Sequence, residues 1–68
     1  TNGRRKGLYA TRNLIEGETI SPTDLIEKRP ALGIRGRYYS LVIGATLTRP
    51  ILSDEPIFWD AITFITKK

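Results

Sequence analysis

Arg29 stands directly before Pro30, and this dipeptide is the best-defined piece of binding chemistry in the chain. Proline pushes the residue before it toward extended or polyproline backbone, so an arginine held there loses less entropy when it binds. Its planar guanidinium donates two parallel hydrogen bonds to a carbonyl or carboxylate. The competing role for Arg29 is a bond to carbonyl groups of its own loop. Lys28 precedes it, and Arg35 and Arg37 follow, close to Tyr38 and Tyr39. Basic residues beside aromatics suit single-stranded nucleic acid, but a solvated, charged loop accounts for the same residues more simply. Arg35 and Arg37 are expected to be solvated loop charges or interface contacts.

Little else in the chain offers chemistry. It has neither cysteine nor histidine, which removes disulfides, Cys/His metal sites and the commonest nucleophiles and general bases. Ser21, Ser40 and Ser53 have no imidazole to activate them. Seven carboxylates remain, none in a metal-ligand pattern such as a calcium loop. No catalytic and no metal-ligating residue is assigned, so a binding and positioning module is expected, not an enzyme by itself.

The rest of the chain has to position that arginine with modest means. Its 68 residues make one domain at most, and Ile, Leu and Val supply 17 of them. A core of that size lies near the lower limit for a fold that holds without help, and it gains from packing on a partner domain. The net charge of +4 resides at the ends. Arg4, Arg5 and Lys6 sit at one end and Lys67 and Lys68 at the other, while the residues between are nearly balanced. Apolar runs such as Leu41-Val42-Ile43 are far too short to span a bilayer. Residues 1–6 are taken as a linker or edge with Arg4, Arg5 and Lys6 exposed, 7–66 as the domain, and 67–68 as a tail.

Local pattern gives many short elements. Leu8-Tyr9-Ala10-Thr11 has the composition of a strand. Asn13 to Ile20 suggests a turn around Glu16-Gly17 and then a second strand. Ser21 and Pro22 have the types preferred at an N-cap and a first helical position. Only a turn or so follows, because Lys28-Arg29-Pro30 is extended. Ala31 to Tyr39 is a loop punctuated by Gly33 and Gly36, and Tyr38 to Gly44 is either one helical turn or a strand. Strands are expected at Leu47-Thr48-Arg49 and Pro56-Ile57-Phe58, a turn at Asp54-Glu55, and a helical turn at Trp59 to Ile62. Short strands separated by turns indicate a compact, mostly β fold.

An internal repeat underlies this order. A shift of 37 positions carries Thr11-Arg12-Asn13-Leu14 onto Thr48-Arg49-Pro50-Ile51, Glu18 onto Glu55, Ile20 onto Ile57 and Leu25 onto Ile62. Two units, each too small to bury its own apolar face, are expected to pack about a pseudo-twofold axis.

Leu8-Tyr9-Ala10-Thr11-Arg12, Ile15-Glu16-Gly17-Glu18-Thr19-Ile20, Asp24-Leu25 and Lys28-Arg29-Pro30 together resemble the SAF, or antifreeze-like, domain. The closer likeness is to the copy that ends bacterial sialic acid synthases (N-acetylneuraminate synthases and their legionaminate and pseudaminate relatives). Tyr38 to Gly44, Glu55-Pro56-Ile57 and Asp60-Ala61-Ile62 continue it. The resemblance implies a small β-clip fold like that of type III antifreeze proteins, with two pseudo-symmetric halves and short 3-10 or helical turns. It also implies a larger cytoplasmic parent enzyme. There a TIM-barrel domain condenses phosphoenolpyruvate with an N-acylated amino sugar, using a divalent metal, manganese or magnesium. The domain itself would hold no cofactor. It would cap the active site of the other subunit's barrel in a domain-swapped homodimer. Arg29 would contact the amino-sugar substrate, with Lys28 and Pro30 as possible support. Nucleic-acid and membrane partners are not expected. Phe58 and Trp59 would be core or barrel-facing residues.

One position departs from the family, which commonly has glycine where this chain has Ala31. Alanine at positive φ costs roughly 1 kcal/mol, so a different loop path is expected. Two other functions fit SAF-like domains: a stand-alone carbohydrate- or polymer-binding module of surface-appendage assembly, and ice binding. Ice-binding faces are flat and uncharged, whereas the centre of this chain carries four cations.

Overall fold

The computed structural model describes residues 5–64. Its regular elements are strand β1 (Gly7–Ala10), β2 (Leu25–Lys28), β3 (Thr46–Leu47) and β4 (Ile62–Thr63), and the single-turn helix α1 (Tyr39–Val42). Three 3-10 turns cover Pro22–Asp24, Gly36–Tyr38 and Trp59–Ala61. β1 pairs antiparallel with β2, and β3 with β4, in two separate sheets. The fold is the small, mostly β, clip-like architecture expected from the sequence.

The repeat is visible bond by bond. Ala10 opposes Leu25 in the first sheet, and Leu47 opposes Ile62 in the second, each residue displaced by the same 37 positions. The two 3-10 turns that precede β2 and β4 obey the same shift. The Thr11 hydroxyl donates to the Thr23 carbonyl, and the Thr48 hydroxyl donates to the Asp60 carbonyl. Glu18 accepts from the Ile15 N–H, and Glu55 from the Leu52 N–H.

The halves are laced together. The Leu47 N–H donates to the Glu18 carbonyl at 2.9 Å, and its counterpart, the Ala10 N–H, donates to the Glu55 carbonyl at 3.0 Å. At the centre Leu14 and Ile51 exchange both backbone bonds, at 2.7 and 2.9 Å. Each residue is the other's counterpart, so the pseudo-twofold axis passes through this bridge. The core follows the same logic: Leu14, Ile20, Ile51 and Ile57 are all buried, while Ile34 and Val42 enter it from the segment joining the halves. That burial is the main favourable term holding so small a fold together.

The short elements differ from the local reading where pairing is tertiary. The turn expected after Ser21 ends at Asp24, and Leu25–Lys28 form a strand that local pattern did not mark, because β1 offers them a ladder. Thr19 and Pro56 make isolated bridges, to Thr46 and Tyr9, in place of the two strands expected around them. Of the two forms open to Tyr38 to Gly44 the structure takes the helical turn, over Tyr39–Val42, and Thr48 and Arg49 lie beyond the end of β3. Phe58 and Trp59 are 39% and 46% exposed, which rules out a place in this domain's core. Ile57 takes the buried position beside them. Ala31 is half-buried without a positive φ, so this loop has no need of the family's glycine. Among the described residues no helix is long and apolar enough to cross a membrane.

Candidate functional site

The segment carrying Arg29 leaves β2 at Lys28 and turns back through Pro30, with a cis Arg29–Pro30 peptide. Three contacts fix its base. The hydroxyl of Tyr9, a buried residue in the middle of β1, donates to the Pro30 carbonyl at 2.6 Å. The Lys28 ammonium lies 4.8 Å from the centre of the Tyr9 ring. It also donates to Asp54 Oδ1 at 3.0 Å. Asp54 belongs to the second half, so this ion pair ties the loop to both copies of the repeat.

Arg29 itself is exposed. It forms no ion pair and no side-chain hydrogen bond among the described residues, so its guanidinium does not fold back on the carbonyls of its own loop. A guanidinium on a braced backbone, free of internal partners, is available to a carbonyl, carboxylate or phosphate brought to it. Pro30 is exposed, and Lys28 is half-buried by its contacts with Tyr9 and Asp54. The structure therefore separates two neighbouring cations that the sequence groups together. Lys28 is engaged internally and Arg29 faces outward.

The other cations of the central cluster are elsewhere. Arg35 and Arg37 line a shallow cleft of about 420 Å³ together with Arg5, Lys6, Glu27 and Gly36. Lys6 is joined to this cleft through its carbonyl, which accepts the Gly36 N–H at 2.9 Å. Arg4 lies outside the described residues. The Arg37 guanidinium is 5.4 Å from the Tyr38 ring centre, and Tyr38 meets Trp59 edge-on with centroids 5.5 Å apart. The Tyr39 hydroxyl donates to the Pro22 carbonyl at 3.2 Å.

A second polar centre, absent from the sequence reading, supports the first half. Asp24 is 2% exposed, and its carboxylate accepts from the Ser21 N–H, the Ser21 hydroxyl and Arg12 Nε at 2.9–3.0 Å. Burial alone would raise its pKa, but the Ser21 and Arg12 hydrogen bonds outweigh that and hold it below the ordinary aspartate value. Arg12 also donates to Glu18 at 2.9 Å. The Ile15 N–H, followed by Arg12, lowers the Glu18 pKa as well. This network is structural: in the second half Ala61 takes the place of Asp24, and Arg49 reaches the exposed Asp60 instead. Among the described residues no group of three potential ligands is placed to hold a metal ion.

Comparison with known proteins agrees with the fold. A family model described as the SAF domain matches residues 5–63. An uncharacterized protein of Methanocaldococcus jannaschii is 32% identical over 56 residues, covering 82% of this chain and 17% of that protein. The chain thus spans less than a fifth of that relative's length.

Proposed function

Because the chain belongs to the SAF domain family, we propose that it is the substrate-capping domain of a sialic acid synthase-like enzyme. The parent condenses phosphoenolpyruvate with an N-acylated amino sugar on a TIM-barrel domain, and this domain closes over the barrel of the other subunit in a homodimer. It does no chemistry of its own. Arg29 donates to a carbonyl or hydroxyl oxygen of the bound amino sugar, which aligns the substrate while the lid excludes water. The divalent metal belongs to the barrel, and no residue described here is assigned to it.

The observation that carries this reading is the state of Arg29, exposed and without internal partners, on a segment braced by Tyr9 and Lys28. A long relative of which the matched region is a small part is consistent with a larger parent. The exposed side chains of Phe58, Trp59 and Leu32 also favour it, since they offer apolar surface to a neighbouring domain. The deciding experiment is steady-state kinetics of the full-length protein with phosphoenolpyruvate and N-acetylmannosamine, comparing the natural sequence with Arg29→Ala. A condensation rate unchanged by the substitution would refute the role of Arg29. Absence of condensation with any N-acylated amino sugar would refute the parent activity.

A further inference from the structure

We propose that the cleft between Arg5, Lys6, Arg35 and Arg37 is a binding site for a small, hydroxyl-bearing phosphate ester. It is separate from the Arg29 loop and does not depend on the function proposed above. Four cations and one carboxylate, Glu27, line about 420 Å³, enough for a phosphorylated ligand of monosaccharide size.

The segments that carry the cations are held together by paired backbone. Gly7 bridges Arg35 in antiparallel fashion, and the Lys6 carbonyl accepts from the Gly36 N–H. Residues 5–7 therefore run alongside 35–37 and set the two basic segments facing one another. None of the four cations has a carboxylate within ion-pair distance among the described residues. Like charges gathered this way repel one another, and a bound dianion relieves that repulsion. Arginine's fork suits phosphate geometry in particular.

Glu27 accounts for the rest of the ligand. Its carboxyl group lies against Gly36: a Cβ built on that glycine would sit 2.7 Å from the Glu27 carboxyl carbon, so any other residue there would displace it. A carboxylate in the wall of an anion site weakens binding of a bare anion. It favours a ligand that carries a hydroxyl donor beside its phosphate, because an ionised carboxylate only accepts hydrogen bonds.

The test is an NMR titration of the chain at constant ionic strength with inorganic phosphate, glucose 6-phosphate and glucose. Phosphate and glucose 6-phosphate are expected to shift the amides of Lys6, Gly7, Glu27 and Arg35 to Arg37 saturably, the ester binding about tenfold tighter. Glucose alone shifts nothing. Arg37→Ala, or Arg37→Gln with its stem retained, weakens both ligands by about tenfold. Arg49→Ala removes the same charge from an exposed ion pair outside the cleft and leaves binding within about twofold. Glu27→Ala, which removes both the charge and the acceptor, strengthens phosphate binding and removes the preference for the ester. Shifts that sodium chloride reproduces, equal effects of Arg37→Ala and Arg49→Ala, or an ester that binds no tighter than phosphate would each overturn the proposal.

Discussion

Gly17 and Asp54 are counterparts across the pseudo-twofold axis, and both hold the left-handed backbone, with φ of 89° and 71°. Each donates its N–H to the strand of the other half: Gly17 to the Leu47 carbonyl at 2.9 Å, Asp54 to the Ala10 carbonyl at 2.8 Å. The turn before each crossing must reverse within a residue, which left-handed backbone permits. Glycine adopts it freely, and aspartate is among the few other residues that tolerate it. In exchange Asp54 supplies the carboxylate that receives Lys28 beneath the Arg29 loop.

A Cβ on Gly17 would meet nothing within 4 Å, so Gly17→Ala isolates the backbone cost. Thermal or urea unfolding is expected to show a loss of about 1–2 kcal/mol. Gly33→Ala is different in kind, because its Cβ would lie 2.1 Å from the Ile57 carbonyl oxygen, which accepts the Ile34 N–H. That substitution should cost more than Gly17→Ala in the same assay. The reverse order would contradict the packing described here.

Asp24→Ala leaves the two Ser21 donors and Arg12 Nε without their acceptor, and is expected to cost about 1–3 kcal/mol. The pH dependence follows from the direction of the shifts. Asp24 and Glu18 both titrate below their ordinary values in the folded state. Their stabilisation is complete once the unfolded carboxyls are ionised, above about pH 5, and is lost as pH falls through the lower folded-state values. Asp24→Ala should therefore flatten the acid limb of a melting-temperature profile. An unchanged limb would assign acid sensitivity to other groups.

Arg29→Ala should leave the stability of this domain within about 0.5 kcal/mol, since an exposed side chain without partners is removed. In the full-length parent the same change should lower the condensation rate strongly. Arg29→Lys should recover only part of the loss, because an ammonium cannot copy the planar fork. Denaturation curves together with kinetics separate the two effects, and an unfolded Arg29→Ala domain would end this reading.

Tyr9→Phe keeps the ring beneath Lys28 and removes only the bond to the Pro30 carbonyl. A loss of about 1 kcal/mol in stability is expected. Faster amide exchange should follow at Leu32, whose N–H donates to the same carbonyl. In the parent, looser bracing of Arg29 should reduce kcat more than it raises KM. Unaltered exchange at Leu32 would show that Tyr9 does not brace the loop.

What the sequence revealed and what it hid divide along the range of each interaction. The displaced repeat was legible because its apolar and glutamate positions recur at one fixed spacing, and those positions form the core and the turn bonds. Ser21-Pro22 marked its 3-10 turn because capping is local. Strand β2 was hidden because Leu25 to Lys28 gain their ladder only from β1. The bond from Tyr9 to Pro30 and the union of Lys6 with Gly36 leave no mark on neighbouring residues at all. Asp54 was within reach: the shift that aligns Glu18 with Glu55 also places Asp54 on Gly17, and so signals left-handed backbone. For Phe58 and Trp59 the core was one of two places open on size, whereas the repeat had already given the buried position to Ile57.

The reciprocal lacing of the halves has a consequence for how the chain can be divided. Since Gly17 and Glu18 bond with Leu47 and Ile20 with Ala45 of the second half, and Asp54, Glu55 and Ile57 bond with strand residues of the first, each half depends on the other to satisfy its backbone. A break within the joining loop at Tyr38 would release two fragments, each lined with donors and acceptors matched only to the other. Such pieces would be unfolded apart and structured on mixing, so the domain behaves as an intramolecular dimer whose linker also delivers Ile34 and Val42 to the core.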